Sequence, residues 1–258
     1  MFVRRVWCWL LWLPCLPWVA GCSLLTQWER PVPLANSLQE IVPHSDRDHF
    51  VYVWRRIEDG RVTAAGVQVE HVSAIKGGEF EVTLSENGRA MGRMRFRDEG
   101  STLVLLREDD LSRGFGFTYD PPLAQLQVPL FPGRQQASAS ATMARSADGE
   151  TIAVVPVTQV VEAQPGAAVH SRLGDYRSSV VIRTARTLHL PDEVSEMQAE
   201  TVVVPGIGEI SSTGSVSDTQ VLHRELACAI IGGRRIGDCT HLNKSWEENN
   251  DAGPSDVR

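Results

Sequence analysis

The sequence predicts a mainly β protein: an antiparallel meander forming a strongly curved sheet or partial barrel, with few short helices. Two observations predict it. From Phe50 onward, apolar and polar residues alternate with period two over segment after segment, as half-buried strands require. Between those segments stand tight-turn signals, among them Glu58-Asp59-Gly60, Asn87-Gly88 and Asp148-Gly149.

Residues 23–49 carry Pro31, Pro33 and Pro43, scattered charge and no sustained period, and read as a tether with room for a short helix within 34–42. The first strand, 50–54, puts Phe50, Tyr52 and Trp54 on one face, and Val67, Val69 and His71 continue a second. In 79–84, Phe80, Val82 and Leu84 turn inward while Glu79, Glu81 and Thr83 face water. The return strand, 91–97, turns Met94 and Phe96 inward and sets Arg93, Arg95 and Arg97 outward, opposite those glutamates. A further strand occupies 102–106. Residues 109–135 are rich in Gly and Pro and read as irregular, a linker or a long crossing segment, which leaves open two strand-rich modules joined there. Strand signals resume at 137–143, 151–161, 179–190, 199–204 and 216–228. The expected organisation is a signal peptide at 1–21, a lipidated N-terminus and tether at 22–49, a β domain at 50–240 and a disordered polar tail at 241–258.

The first residues follow a different pattern. Arg4 and Arg5 precede an apolar run from Val6 to Trp18, broken only by Pro14 and Pro17, which is the shape of an export signal. A permanent transmembrane helix is the weaker alternative, because the run is shorter than the roughly 20 residues a span needs and its prolines would interrupt a helix. Val19-Ala20-Gly21-Cys22 then resembles the lipobox of bacterial lipoproteins. The resemblance implies recognition of Val19, Ala20 and Gly21, cleavage before Cys22, and acylation of Cys22, so that membrane lipid is the first partner. Small side chains admit extended backbone to a peptidase, and a thiol is soft enough to alkylate readily. An ordinary secreted protein cut at an A-x-A site is the other reading, but that sequence is missing. Within the lipoprotein resemblance, Ser23 in place of aspartate implies the periplasmic face of the outer membrane.

The net charge of −7 becomes more negative once the signal's two arginines are removed. That balance excludes nucleic acid as a partner and docking through a polybasic patch. Cys8 and Cys15 leave with the signal and Cys22 takes lipid, so Cys228 and Cys239 remain. In an exported chain they are most simply a disulfide, with two free thiols as the alternative. Their spacing is too long for a C-x-x-C zinc site.

Chemistry-bearing motifs are sparse. His44, Asp46, Asp48 and His49 form the densest set of potential metal ligands, but Arg47 stands among them without a recognised ligand spacing, and a solvated loop is expected. Asp109-Asp110 and Glu247-Glu248 are sequence neighbours, which strands direct to opposite faces. His170, Ser171 and Asp175 make a triad only if geometry assembles them. No catalytic residue, metal ligand or cofactor is therefore expected.

Two further stretches carry a second resemblance: Tyr119-Asp120-Pro121-Pro122-Leu123 with Val128-Pro129-Leu130-Phe131-Pro132-Gly133, and Thr201-Val202-Val203-Val204-Pro205-Gly206-Ile207-Gly208-Glu209-Ile210. Over residues 50–228 the chain resembles uncharacterised bacterial envelope β-proteins, departing at Arg134-Gln135-Gln136 where that pattern expects an aromatic residue. The resemblance implies a curved sheet similar to periplasmic lipoprotein carriers and no catalytic residues. Pro205-Gly206-Ile207-Gly208 itself reads as a sharp turn rather than a phosphate loop, since no helix follows it. The expected function is that of a membrane-anchored, non-catalytic envelope lipoprotein binding a protein partner or an amphiphile; an envelope hydrolase of unrecognised type is the alternative. An open apolar concavity lined by Phe80, Val82, Met94 and Phe96 would favour an amphiphile, and a filled core would favour a protein.

Overall fold

The computed structural model describes residues 31–190, 194–215 and 220–239, and a compact unit begins at Val32. The signal at 1–21, the lipobox residues Val19, Ala20, Gly21 and Cys22, and the tail at 241–258 lie outside the described residues.

Tight-turn signals become hairpins. Asp59 and Gly60, both at positive φ, join β1 (His49–Glu58) to β2 (Arg61–Ala74), and Asn87 and Gly88 join β3 (Glu79–Glu86) to β4 (Arg89–Asp98) in the same way. Next come β5 (Thr102–Asp110), β6 (Phe115–Gln127), β7 (Gly133–Arg145) and β8 (Thr151–Gly166). A small hairpin, β9 (Val169–Ser171) with β10 (Gly174–Tyr176), stands apart as its own two-stranded sheet. The main sheet resumes with β11 (Ser179–His189), β12 (Val194–Val204), β13 (Gly208–Ser215), β14 (Gln220–Ile231) and the short β15 (Arg234–Gly237).

From β1 to β8 and from β11 to β14 each strand pairs antiparallel with the next, with β8 beside β11, and β14 pairs back with β1 from Glu58↔Gln220 to His49↔Ile230. The sheet is a closed barrel of twelve strands. Closure removes the exposed edges that an open sheet of this size would carry at both ends.

β6 runs through the stretch expected to be irregular, so 109–135 joins no pair of modules: β5, β6 and β7 are consecutive strands of one ring. Proline content misled there. Pro121 and Pro122 lie where β6 pairs with neither β5 nor β7, so no ladder hydrogen bond is asked of the missing N–H groups.

Alternation sorts side chains between inside and outside, with bulges resetting the phase. Phe50, Tyr52 and Leu226 belong to the main interior cluster. One residue further along β14 the register shifts, because Val51 faces Cys228 while Tyr52 faces Leu226. Ala227 is the inserted residue, so Ala229 returns to the interior while Cys228 packs outside with Val51, Val69 and Cys239. Cys228 and Cys239 are bonded, with Cα atoms 5.5 Å apart, fastening the chain after β15 to the closing strand.

Residues 34–42, expected to belong to the tether, instead enter one end of the barrel. Leu34 N donates to Leu130 O and Leu130 N donates to Ala35 O, and the chain then forms α1 (Leu38–Ile41). Leu38 and Ile41 are buried with Phe80, Val180, Val203 and Ile210. One turn of helix is too short to show an apolar period, which is why the sequence pattern concealed this plug. Glu40 holds it at both ends, its carboxylate accepting from Asn36 N and its carbonyl from Gly206 N. Gly206 and Gly208 in the β12–β13 turn have positive φ, and a Cβ at Gly208 would stand 2.7 Å from Pro43 Cδ. The turn read from Pro205-Gly206-Ile207-Gly208 thus serves to seat the plug.

Truncating the plug should be costly: Leu38→Ala is expected to lower unfolding free energy by about 2 to 5 kcal/mol, read from urea melts of the mature domain, whereas Val32→Ala, 80% exposed, should change it little. Alkylation of the denatured, unreduced protein should leave Cys228 and Cys239 unlabelled, and modification of both without reductant would contradict the bond.

Candidate functional site

The sequence-derived candidates disperse in the fold. Phe80 and Val82 are buried, with Met94 and Phe96 packed against the same cluster. The His44 ring stacks on Phe80 at 4.6 Å, and Phe80 on Phe96 at 5.3 Å. The concavity that these side chains could have lined is therefore filled by α1 and His44.

Residues 44–49 form a clamp rather than a solvated loop. His44 Nδ1 donates to Val42 O and its Nε2 meets Asp98 at 3.1 Å. Asp46 accepts from Ala74 N, and the buried Asp48 accepts from Ser45 N and from Gly232 N. His49 turns toward His71 across the β1–β2 pair, and burial followed by the His71 charge pushes its imidazole down to about 4. These donors and acceptors serve separate partners and do not converge on one point.

The triad does not assemble. His170 and Asp175 pair at 2.7 Å on the exposed β9–β10 hairpin, but Ser171 Oγ donates to Gly174 O and accepts from Leu173 N, with no hydrogen bond to His170. Thr213 and His223, a pair that sequence reasoning passed over, meet at 3.1 Å across β13 and β14 on the exposed surface, where no third group among the described residues orients the imidazole. Asp109 pairs with Arg107, and Asp110 with Arg113 and Ser112. Among the charges of the meander, Arg95 binds Glu79 at 2.5 Å and Arg93 approaches Glu81 at 3.9 Å, diagonal cross-strand pairs on a wet face.

Two arginines that sequence reasoning missed organise the interior. Arg224 on β14 grips Glu209 with two hydrogen bonds of 2.6 and 2.8 Å, donates to Ser212 and Gln68, pairs with Glu70, and lies over the Tyr52 ring at 4.4 Å. Burial works against its charge, and Glu209 and Glu70 outweigh that, holding the guanidinium well above its ordinary range. Burial raises the Glu70 carboxyl, partly offset by Arg224 and reinforced by Glu209. Two carboxylates on one cation leave a surplus negative charge in a poorly solvated place, and a proton on Glu70 relieves it.

Arg186 on β11 builds the second network. Its Nε donates to Gln159 Oε1 at 2.9 Å, one terminal nitrogen to Glu108 at 2.9 Å and Tyr119 Oη at 3.4 Å, and the other to Gln125 at 3.4 Å. Tyr119 in turn donates to Glu108 at 2.5 Å, and burial, then Glu108, raises its phenol. Gln159, 1% exposed, sends its amide to Ala124 O at 3.1 Å. Period two could have exposed both arginines: Arg186 shares a face with Ile182 and Leu188, and Arg224 with Leu222 and Leu226.

The Arg186 network backs a slot of about 200 Å³ between the second half of β6 and the first half of β7. Ala124, Gln125, Arg134, Gln135, Ala137 and Gln159 are among its walls. A larger hollow of about 470 Å³ lies on the outside, across β8 and β11 to β13, floored by the solvated Glu162, Arg183 and Glu200. The slot is the better-built candidate, since buried and hydrogen-bonded groups fix its inner wall. Its amides and its guanidinium can bind polar or anionic groups, but they supply no nucleophile.

No family model and no curated protein sequence matches this chain. Among solved structures it is similar to a protein from Bacteroides fragilis described as exported, with a YmcC-like fold, at 13% identity and TM-score 0.45, over 72% of this chain and 96% of the other. A protein from Parabacteroides distasonis described as a lipoprotein is similar at 9% identity and TM-score 0.35, over 71% and 95%. The hypothetical lipoprotein YmcC from Escherichia coli is similar at 10% identity and TM-score 0.33, over 70% and 83%.

The Glu70 carboxyl carries a pH signature. Its folded value stands above the ordinary 4.5, so the unfolded chain releases this proton first, and the stability it contributes is lost as pH rises through the folded value. Urea melts between about pH 4 and pH 8 should show the wild type losing stability relative to Glu70→Gln as pH increases; a constant difference would mean that Glu70 titrates normally.

Proposed function

We propose that the protein is a non-catalytic envelope lipoprotein, anchored by acylated Cys22 at the periplasmic face of the outer membrane, whose barrel is a rigid scaffold for a partner protein. The observation that carries the choice of partner is the filled core: α1 and His44 occupy the space against Phe80 and Phe96 where an amphiphile would have lain. An amphiphile carrier requires the opposite, an apolar cavity deep enough to cover an acyl chain.

Charge placement on the barrel supports an anchored rather than a membrane-spanning role. A spanning barrel needs an outward apolar band roughly 25 Å tall, whereas Glu79, Arg93, Arg95, Arg107, Arg183 and Glu200 form solvated ion pairs on the strands here. Among the described residues no helix is long and apolar enough to cross a membrane. Acyl chains on Cys22 supply the missing attachment, and two or more chains are needed for stable anchoring. Against the hydrolase alternative stand Ser171, whose hydroxyl is engaged by Gly174 O and Leu173 N, and Thr213, which meets His223 but with no orienting third group among the described residues.

Mass spectrometry of the mature N-terminal peptide should find acyl mass on Cys22, and Cys22→Ala should move the protein from the membrane to the soluble fraction. A wild-type peptide without acyl mass, or a variant that still sediments with membranes, would overturn the anchor.

A further inference from the structure

Four neighbouring strands, β7, β8, β11 and β12, present their outward side chains in rows that cross the sheet. One row is Arg134, Glu162, Arg183 and Glu200, each facing the next across a ladder, and all four are exposed. Two residues further from the α1 end, the next row is Gln136, Val160, Ala185 and Gln198, and the row beyond it is Ser138, Thr158, Thr187 and Glu196.

We propose that this face is the contact between two copies of the protein, related by a two-fold axis that runs parallel to the strands between β8 and β11. The proposal rests on the reading of the barrel as a protein-binding scaffold and names both the surface and the partner.

The rows match themselves under that rotation. It lays β7 of one copy over β12 of the other, and β8 over β11. The charged row reads plus, minus, plus, minus, and its reverse is set against it: Arg134 meets Glu200 of the second copy, and Glu162 meets Arg183. The next row reads amide, apolar, apolar, amide, so Gln136 meets Gln198 and Val160 meets Ala185. In the third, Thr158 meets Thr187, and the Ser138 hydroxyl can donate to the Glu196 carboxylate. An axis laid across the strands along the charged row would instead set Arg134 on Arg134 and Glu162 on Glu162, like charges that oppose association.

Three other observations agree. A chain of net charge −7 repels its own copies, whereas the charged row sums to zero. The outer hollow of about 470 Å³ has Gln198 and Glu200 in its wall, and the rotation delivers to it the long side chains of Gln136 and Arg134. Finally, an axis parallel to the strands points both α1 ends the same way. Cys22 and Val32 are ten residues apart, a reach of at most about 35 Å, and both anchors then leave toward one membrane. On the far margin of the face Ile152, Val154 and Val194 are 53, 63 and 58% exposed and extend its apolar area. Solvated ion pairs contribute little affinity, so the charges set the register and the uncharged rows supply the burial.

The test places a benzophenone side chain at Thr158, at Thr187 or, on the outer face of β4, at Arg93 of the full lipoprotein in its native envelope, with copies bearing two different epitope tags made together. Cross-links between differently tagged copies are expected from 158 and 187 but not from 93. Arg134→Glu alone and Glu200→Arg alone should each lower that yield at least tenfold. Arg134→Glu on one tag and Glu200→Arg on the other should restore it, because each variant supplies the charge that the other now needs. Circular dichroism melts verify that both variants fold. Undiminished yield from either variant alone, no recovery from the mixed pair, or equal cross-linking from 93 would overturn the proposal. So would attachment from 158 or 187 to residues 240–258 of the same copy, which would make the tail the cover of this face. Capture of a different protein without a second copy would overturn the dimer and leave the scaffold reading standing; no protein captured from any position would overturn both.

Discussion

A ring of twelve strands encloses more space than its own ordinary side chains fill. About eight strands give an interior that side chains just occupy, and about sixteen leave an aqueous channel; this barrel stands between. Its interior is completed by two devices. At one end, residues 34–42 turn back into the ring and bury Leu38 and Ile41. Further along, Arg186 and Arg224, the longest donors available, reach across to β5, β6 and β8 in one case and to β2 and β13 in the other. A buried guanidinium is tolerable only when its donors are matched, and the carboxylates and amides around each of these match them.

The strands with clean alternation were legible in the sequence, and so was the sense in which they face: Phe80 and Val82 in, Glu79 and Glu81 out. What escaped were features whose signal is either too short or of the wrong chemical type. The plug gives a single helical turn. β6 is disguised by prolines that its broken pairing accommodates. Arg186 and Arg224 look like surface charge by residue type, and only their phase along β11 and β14 puts them inside. The slot was illegible for another reason: it exists because β6 and β7 part company after Asp120, a relation between strands that no single segment encodes.

Function follows from where the barrel is finished and where it is not. The plugged end leaves no apolar hollow against Phe80 and Phe96. The outer face is dressed with paired charges that favour water. Hydroxyls near imidazoles, at Ser171 and Thr213, lie on exposed hairpins without the convergence that catalysis demands. The slot between β6 and β7 departs from this completeness: strand pairing stops at Asp120↔Ser140, and the side chains of Gln125 and Gln159 behind it are held in place by Arg186.

Closure also sets a constraint in time. β1 and β14 are the first and last strands of the ring, so the contact that seals the barrel joins His49 to Ile230 and Glu58 to Gln220 across nearly the whole described chain. Such non-local pairing makes folding slow. As the chain is made in order from its N-terminus, the early hairpins can form one by one, but β1 waits with one edge bare until β14 emerges. During that interval β1, with Phe50, Val51 and Tyr52 uncovered, is the part of the molecule most exposed to false pairing. A newly made chain thus needs custody of its first strand, and the need ends only when β14 reaches β1.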